Sequence, residues 1–323
     1  MSAVGITKRD ILRLAGVATA AAALPAALRA EGIDGTAPSV VAGLPFALTT
    51  PMHVGEVSLR VIDLPAMTRY YKALLGFDEI SSDESSIVLG VDGTPLLTLK
   101  RVEGIVREDP ASAGLYHVAY LMPTRADLAR WLVHAAVIQA PIDGFADHNV
   151  SEAVYLTDPE GNGIEVYSDR SPETWVWKDG FVTMGTEAID LDGLVALADR
   201  SRDTYTLPTA LRIGHIHLRV GEVADAEAFY GDVVGLKSTR QERRDAAFYS
   251  SGGYHHHVAM NAWKSSGAGQ RVVATTGLEW FSMKLDADSM AALKARVPSD
   301  SVTQIEGGIS LADPWGTEIR LVG

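Results

Sequence analysis

The chain has 323 residues, 47% of them hydrophobic, and a formal net charge of −13. That length supports two domains or one long barrel-like unit with a full core, and the acidic balance excludes a partner gripped by its phosphate backbone, so no nucleic acid is expected. There is no cysteine, which excludes disulfides, thiolate metal sites and cysteine nucleophiles; histidine, carboxylate and water must hold any metal, a donor set suited to Fe(II), Mn(II), Zn(II) or Ni(II).

In chain order the N-terminus comes first. Thr7-Lys8-Arg9-Asp10-Ile11-Leu12-Arg13 leads into an Ala-rich apolar run from Leu14 to Leu28, and Ala30 ends a small-residue cleavage pattern. A basic segment, a short apolar segment and small residues form the layout of an export signal. The run is too short to span a bilayer and contains Pro25, so no membrane span is expected in the mature protein. The Thr-Lys-Arg-x-Ile-Leu-Arg arrangement resembles a twin-arginine signal with Lys8 in place of the first arginine. The expectation is a periplasmic protein, with a leader helix on a cytoplasmic protein as the alternative. Residues up to about Pro51 read as spacer, which gives a leader over 1–51.

The body repeats. Glu56-Val-Ser-Leu-Arg-Val61 followed by Tyr71-Lys-Ala-Leu-Leu-Gly-Phe77 matches His215-Ile-His-Leu-Arg-Val220 followed by Phe229-Tyr-Gly-Asp-Val-Val-Gly-Leu236. Gly114–Leu121 matches Gly277–Leu285, and Asp158-Pro-Glu-Gly matches Asp313-Pro-Trp-Gly. Repetition of this kind means a multiplied supersecondary unit. Each unit reads as strand, helix and three strands, an α+β class, over 52–103, 113–170, 213–264 and 277–323. Apolar spacing predicts helices at Pro65–Leu75, Arg125–Val137, Ala224–Val234 and Ser289–Val297. The first two units form one domain, 52–170, and the last two another, 213–323. Segment 171–212 joins them and carries Trp175, Trp177 and a helical run, Leu191–Ala198.

In the opening strands Val57, Leu59 and Val61 alternate with Glu56, Ser58 and Arg60, and Ile216, Leu218 and Val220 alternate with His215, His217 and Arg219. The apolar face must pack on the helix, leaving the polar face to line the concave side of a curled sheet, either solvated or a site. The stretch Asp147–Tyr167 concentrates the chemistry. It reads as two strands, Ala153–Thr157 and Gly163–Tyr167, around a Pro/Gly turn. A hairpin symmetric about Glu160 sets Tyr155 opposite Glu165, with His148 just upstream. A carboxylate beside a phenol and an imidazole is a candidate metal-site corner; an exposed polar face on a half-buried hairpin is the other reading. No P-loop, G-x-S-x-G or H-E-x-x-H pattern is present.

The four-unit layout resembles the vicinal oxygen chelate superfamily with its βαβββ modules, over nearly everything from Met52 to Gly323. That resemblance implies two curled-sheet barrels after an N-terminal leader. Within it, His148, Val154-Tyr155, Asp158-Pro159, Gly161 and Glu165 resemble the fingerprint of extradiol ring-cleavage dioxygenases, with Ala146 departing at one flanking position. The phrases G-H-I-H-L-R-V and G-G-Y-H-H-H-V-A-M-N-A-W narrow the resemblance to the Bacillus-type catechol 2,3-dioxygenase subgroup.

What the resemblance implies is Fe(II), with Mn(II) as an alternative, held by two histidines and a glutamate with three positions left open. Carried over, the metal ligands are His117, Glu165 and His215; taken singly, either histidine also reads as structural. The fourth module departs, with Trp280 for the histidine and Arg320 for the glutamate. Modules two and three are therefore expected to face each other and build the site, and modules one and four to form an inert half. A competing arrangement pairs modules one and two through Glu56, His117 and Glu165. For the acid/base, His256-His257-Val258-Ala259 matches the family pattern and favours His256, with His257 second; strict strand alternation instead groups His255 and His257 with Asn261. Tyr155 and His148 would hydrogen-bond the substrate oxygens, while His53 and His134 match no role. The implied activity is meta cleavage of a small aromatic diol by O2, a step of aromatic catabolism, in a chain compatible with a homo-oligomer. A metal-dependent isomerase or lyase like glyoxalase I, and a non-catalytic binder like the bleomycin-resistance proteins, are the alternatives.

Overall fold

Each predicted module folds as strand, helix and three strands in the computed structural model, which describes residues 43–198, 205–241, 243–272, 274–298 and 301–323. The export-type run lies outside the described residues. Module one comprises β1 (Met52–Val61), α1 (Leu64–Leu75), β2 (Asp78–Ser82), β3 (Ser86–Val91) and β4 (Thr94–Arg101). Module two comprises β5 (Gly114–Leu121), α2 (Arg125–Val137), β6 (Gly144–Asp147), β7 (Ser151–Thr157) and β8 (Gly163–Asp169). The joining segment carries a ribbon, β9 (Trp177–Lys178) with β10 (Phe181–Val182), and the short helix α3 (Leu191–Ala196). Module three is β11 (Arg212–Arg219), α4 (Val223–Glu227) continued as a π-helix over Ala228–Val234, β12 (Lys237–Ser238), β13 (Ala246–Ser250) and β14 (Val258–Asn261). Module four is β15 (Gly277–Leu285), α5 (Ala287–Arg296), β16 (Thr303–Ile305), β17 (Gly308–Ala312) and β18 (Glu318–Val322).

The same local chemistry recurs in related modules. Asp63 caps α1 by accepting from Ala66 N, and Gly76 ends that helix at φ +81°. Gly235 ends the matching helix of module three at φ +95°, a left-handed conformation that favours glycine. The two Asp-Pro-x-Gly turns are built alike. Asp158 Oδ1 accepts from Glu160 N and Asn162 N, and its Oδ2 accepts from Tyr71 O–H. Asp313 Oδ1 accepts from Trp315 N and Thr317 N, and its Oδ2 from Tyr230 O–H. These fingerprint residues therefore shape turns.

The strands form two eight-stranded mixed sheets, ordered β16-β17-β18-β15-β1-β4-β3-β2 and β12-β13-β14-β11-β5-β8-β7-β6. Modules one and four share the first sheet and modules two and three the second, the pairing that the histidine pattern implied. Each sheet joins its two modules through one antiparallel central pair, β1 with β15 and β5 with β11. The expected barrels do not close: each order runs from one edge to another. Val57, Leu59 and Val61, and Ile216, Leu218 and Val220, are all buried in one apolar core shared by the helices and both sheets. Each such side chain contributes roughly 1.5–3 kcal/mol by leaving water.

A smaller cluster closes one end of the second sheet's other face, and it corrects the spacer reading. From Phe46 onward the chain packs: the Phe46 ring lies 5.8 Å from Trp175 and 6.0 Å from Tyr254, and Ala47 is fully buried. The spacer therefore ends before the 3-10 turn Phe46–Thr49, because Ala47, with Phe46 and Leu48 beside it, packs in the cluster that holds Trp175 and Tyr254.

Candidate metal centre

The site grows from the register of three adjacent strands. β11, β5 and β8 are neighbours in the second sheet. Ala119 on β5 is flanked by Glu165 on β8 and by His215 on β11. His117 lies two residues before Ala119, so alternation puts it on the same face. A small central residue thus carries two ligand-type side chains beside it and a third one step along. Across the hairpin Tyr155 opposes Glu165, the predicted register.

All three side chains are buried. His117 Nε2 lies 2.9 Å and His215 Nε2 3.3 Å from Glu165 Oε2, and the three donor atoms fall within 4.8 Å of one another. His117 Nε2 is near the carboxylate but off the line a hydrogen bond needs, and it has no hydrogen-bond partner; buried His215 Nδ1 has none either. Two ligands about 2.1 Å from one ion at a right angle stand about 3 Å apart, which the two N···O separations match. The protonation states fit as well. Burial pushes the Glu165 carboxyl up, but the His215 and His117 imidazoles overcome it and hold the group well below the usual carboxylate range. Burial lowers His215 to about 4 against the pull of Glu165. One anion beside a neutral imidazole is a donor set ready for a divalent cation.

The remaining predicted site residues fall on the walls of a ≈ 320 Å³ cavity that opens beside the triad, with one exception. His148 Nδ1 lies 2.7 Å from Gly185 O, and its Nε2 lies 2.6 Å from Tyr155 Oη. A carbonyl only accepts, so Nδ1 carries the proton and Tyr155 O–H donates to Nε2. Burial, and then Glu165, push the Tyr155 phenol well up, so it stays protonated. His256 also lines the cavity, its ring 4.2 Å from that of His215. Behind it, His255 Nδ1 lies 2.8 Å from His256 Nδ1, and His255 Nε2 lies 2.9 Å from Asp169 Oδ1. With Asp169 ionised, His255 Nε2–H donates to it, His255 Nδ1 accepts from His256 Nδ1–H, and His256 Nε2 keeps its lone pair. Burial and the surrounding imidazoles, His215 first, hold His256 well below its ordinary value, hence neutral.

His257 is the exception. Its Nδ1 meets Ser250 Oγ at 2.9 Å and its Nε2 meets Ala47 O at 3.0 Å, away from the cavity, so this alternative acid/base ties down the Phe46–Pro51 segment. The competing arrangement through Glu56 does not assemble. Glu56 sits on β1 of the other sheet, where it accepts from Thr98. At the equivalent positions of module four, Arg320 stacks over Trp280 at 3.9 Å, filling the space with a cation–π pair.

Sequence reasoning missed His217, Tyr116, Trp263, Phe248 and Arg240, which also line the cavity. His217 had a signal, since it alternates on the polar face with His215. It pairs with His117 across β5 and β11, and its Nε2 accepts from Asn261 Nδ2 at 2.9 Å. Tyr116 and Trp263 stand edge-on at 5.3 Å, both partly exposed at the rim.

Comparison with known proteins places this architecture. The model of the Glyoxalase/Bleomycin resistance protein/Dioxygenase superfamily matches residues 53–166 and 212–321. The chain is 34% identical over 273 residues to a catechol-2,3-dioxygenase of Bacillus subtilis (strain 168), covering 81% of this chain and 94% of that one. Among solved structures, one from Bacillus subtilis subsp. subtilis str. 168, provisionally described as a dioxygenase, superposes with a TM-score of 0.56 at 12% identity over 84% of each chain. Glyoxalase I from Zea mays superposes with a TM-score of 0.50 at 15% identity, covering 86% of this chain and 94% of that one. At these identities the two structures speak to the fold alone.

Proposed function

The chain belongs to the Glyoxalase/Bleomycin resistance protein/Dioxygenase superfamily, and from that premise we propose that it is an Fe(II)-dependent extradiol dioxygenase cleaving a small aromatic diol with O2. The observation that carries this reading is the buried His117, Glu165, His215 triad opening onto a cavity with its own imidazole and phenol. The catechol-2,3-dioxygenase relative supports the reaction class.

His117 Nε2, His215 Nε2 and Glu165 Oε2 would hold the metal. Bound there, Fe(II) supplies the redox chemistry that joins a diol to O2, with Mn(II) as a competent substitute. The protein's own work is positional and protonic. His256 Nε2, kept unprotonated and aimed by the His255–Asp169 pair, accepts a proton from a diol hydroxyl and returns it later. Tyr155, whose proton is committed to His148, offers its oxygen as an acceptor to the second hydroxyl. The aromatic lining, Tyr116, Tyr155, Phe248 and Trp263, limits water around the reacting ring. Both oxygen atoms enter the ring-opened product, so no reductant is consumed.

The test is oxygen uptake by anaerobically iron-loaded protein on adding catechol. One O2 per diol and a yellow ring-opened product support the reading; oxygen-independent turnover of a hemithioacetal would favour a glyoxalase-type isomerase instead. The basic-then-apolar leader supports export of the folded, metal-loaded chain to the periplasm, which N-terminal sequencing of periplasmic material tests.

A further inference from the structure

The cavity is electrostatically unlike the chain around it. The chain carries a net charge of −13, yet Glu165 is the one carboxylate on the cavity wall among the described residues, while Arg240 and Arg243 both line it. The two arginines differ. Arg243 is exposed and committed to Asp245 through two bonds of 3.0 Å. Arg240 is half-buried and has no ion-pair partner among the described residues. Its Nη2 donates to Met184 O at 3.1 Å, and its Cζ lies 5.0 Å from the centre of the Phe248 ring. A guanidinium has five N–H donors in a rigid fork, so most of this one's donors remain for a ligand. Phe248 also stands edge-on to His256 at 5.3 Å, and His256 touches His215 at 4.2 Å. The guanidinium and the triad therefore stand on one continuous wall.

We propose that Arg240 reads an anionic substituent, so the substrate is an aromatic diol bearing a carboxylate. This rests on the diol-cleaving reading of the triad. With the hydroxyls held at the triad and His256, the far edge of the ring turns toward Phe248, whose face is already covered by the cation. A carboxylate there meets a planar bidentate donor at a partly dehydrated position, where charge-assisted bonds are strongest.

The probe pair is 3,4-dihydroxybenzoate and its methyl ester, which differ in charge at one position. Iron-loaded protein should favour the acid over the ester by about ten-fold or more in kcat/KM from oxygen uptake, and in anaerobic dissociation constants. Arg240→Gln should collapse both ratios toward unity, and Arg240→Lys should retain part of them. Equal handling of acid and ester by the wild-type protein, or an undiminished ratio in Arg240→Gln, overturns the proposal. Oxygen uptake with catechol but no acid preference sinks this proposal alone. An Arg240-dependent preference in binding without oxygen uptake by any diol upholds Arg240 as the anion reader and removes the dioxygenase reading.

Discussion

Glu165→Gln separates a metal ligand from a structural carboxylate. The side chain is buried between two imidazoles and 2.9 Å from the nearer nitrogen. Burial disfavours this charge, but the His215 and His117 imidazoles more than offset that cost, so the ionised carboxylate favours the fold and its removal leaves both imidazoles without their partner. The metal-free variant should therefore melt below the wild-type temperature while still folding cooperatively. The metal-bound state should suffer, because Gln offers a neutral oxygen where a divalent ion needs an anion. Losing one charge-assisted contact of about 3 kcal/mol weakens metal affinity by about 100-fold. At a metal concentration 1,000 times the wild-type dissociation constant, the ion stabilises the native protein by about 4.1 kcal/mol and the variant by about 1.4 kcal/mol. For a chain of this size the difference is about 4 °C of metal-induced shift. The assay is a pair of thermal melts for each protein, with Fe(II) under nitrogen and with chelator. An equal metal-induced shift in Glu165→Gln refutes the ligand assignment, and a metal-free variant that melts at or above the wild type refutes the view that the two imidazoles stabilise this carboxylate.

Asp169→Asn should uncouple the tautomer of His255 from that of His256 and lower kcat by about ten-fold or more, with metal affinity close to wild type; a wild-type kcat would remove the relay. Burial holds His257 at about 3. The unfolded chain protonates this imidazole below about 6.5, so stability should fall as pH drops from about 6.5 toward 3, by up to roughly 5 kcal/mol from this group. Urea titrations across that range should show a shallower decline in His257→Asn. At Gly163 an added Cβ would meet Tyr116 O at 2.0 Å. Gly163→Ala should therefore push β8 off β5, lower stability by about 2 kcal/mol and weaken metal binding; an unchanged melt would show that the strands yield without cost.

The parts of this architecture that were readable from sequence obey short periods. Alternation in β1 and β11 locates the apolar faces, and the symmetric Asp-Pro turn sets the Tyr155–Glu165 register. The pairing of modules two and three followed from Trp280 and Arg320, since a tryptophan and an arginine cannot replace two metal ligands. Residues 254–257 resisted the same reasoning for a physical reason. β14 begins at Val258, so the three preceding histidines lie in irregular backbone, where alternation predicts nothing. His255 and His257 therefore do not share a role: one aims His256 and the other anchors Thr50 and Ala47. Arg240 escaped notice because it follows β12, which is only two residues long and leaves no periodic pattern around it. The packing of Phe46 was invisible because its partners, Trp175 and Tyr254, stand far along the chain.

The central claim is that His117, Glu165 and His215 hold one divalent ion at the floor of the cavity. An anomalous difference map at the iron edge, from crystals grown with Fe(II) under nitrogen, tests it most directly. The account predicts a single strong peak about 2.1 Å from each of His117 Nε2, His215 Nε2 and Glu165 Oε2. A peak elsewhere in the chain, or none at the triad with iron in excess, would contradict it.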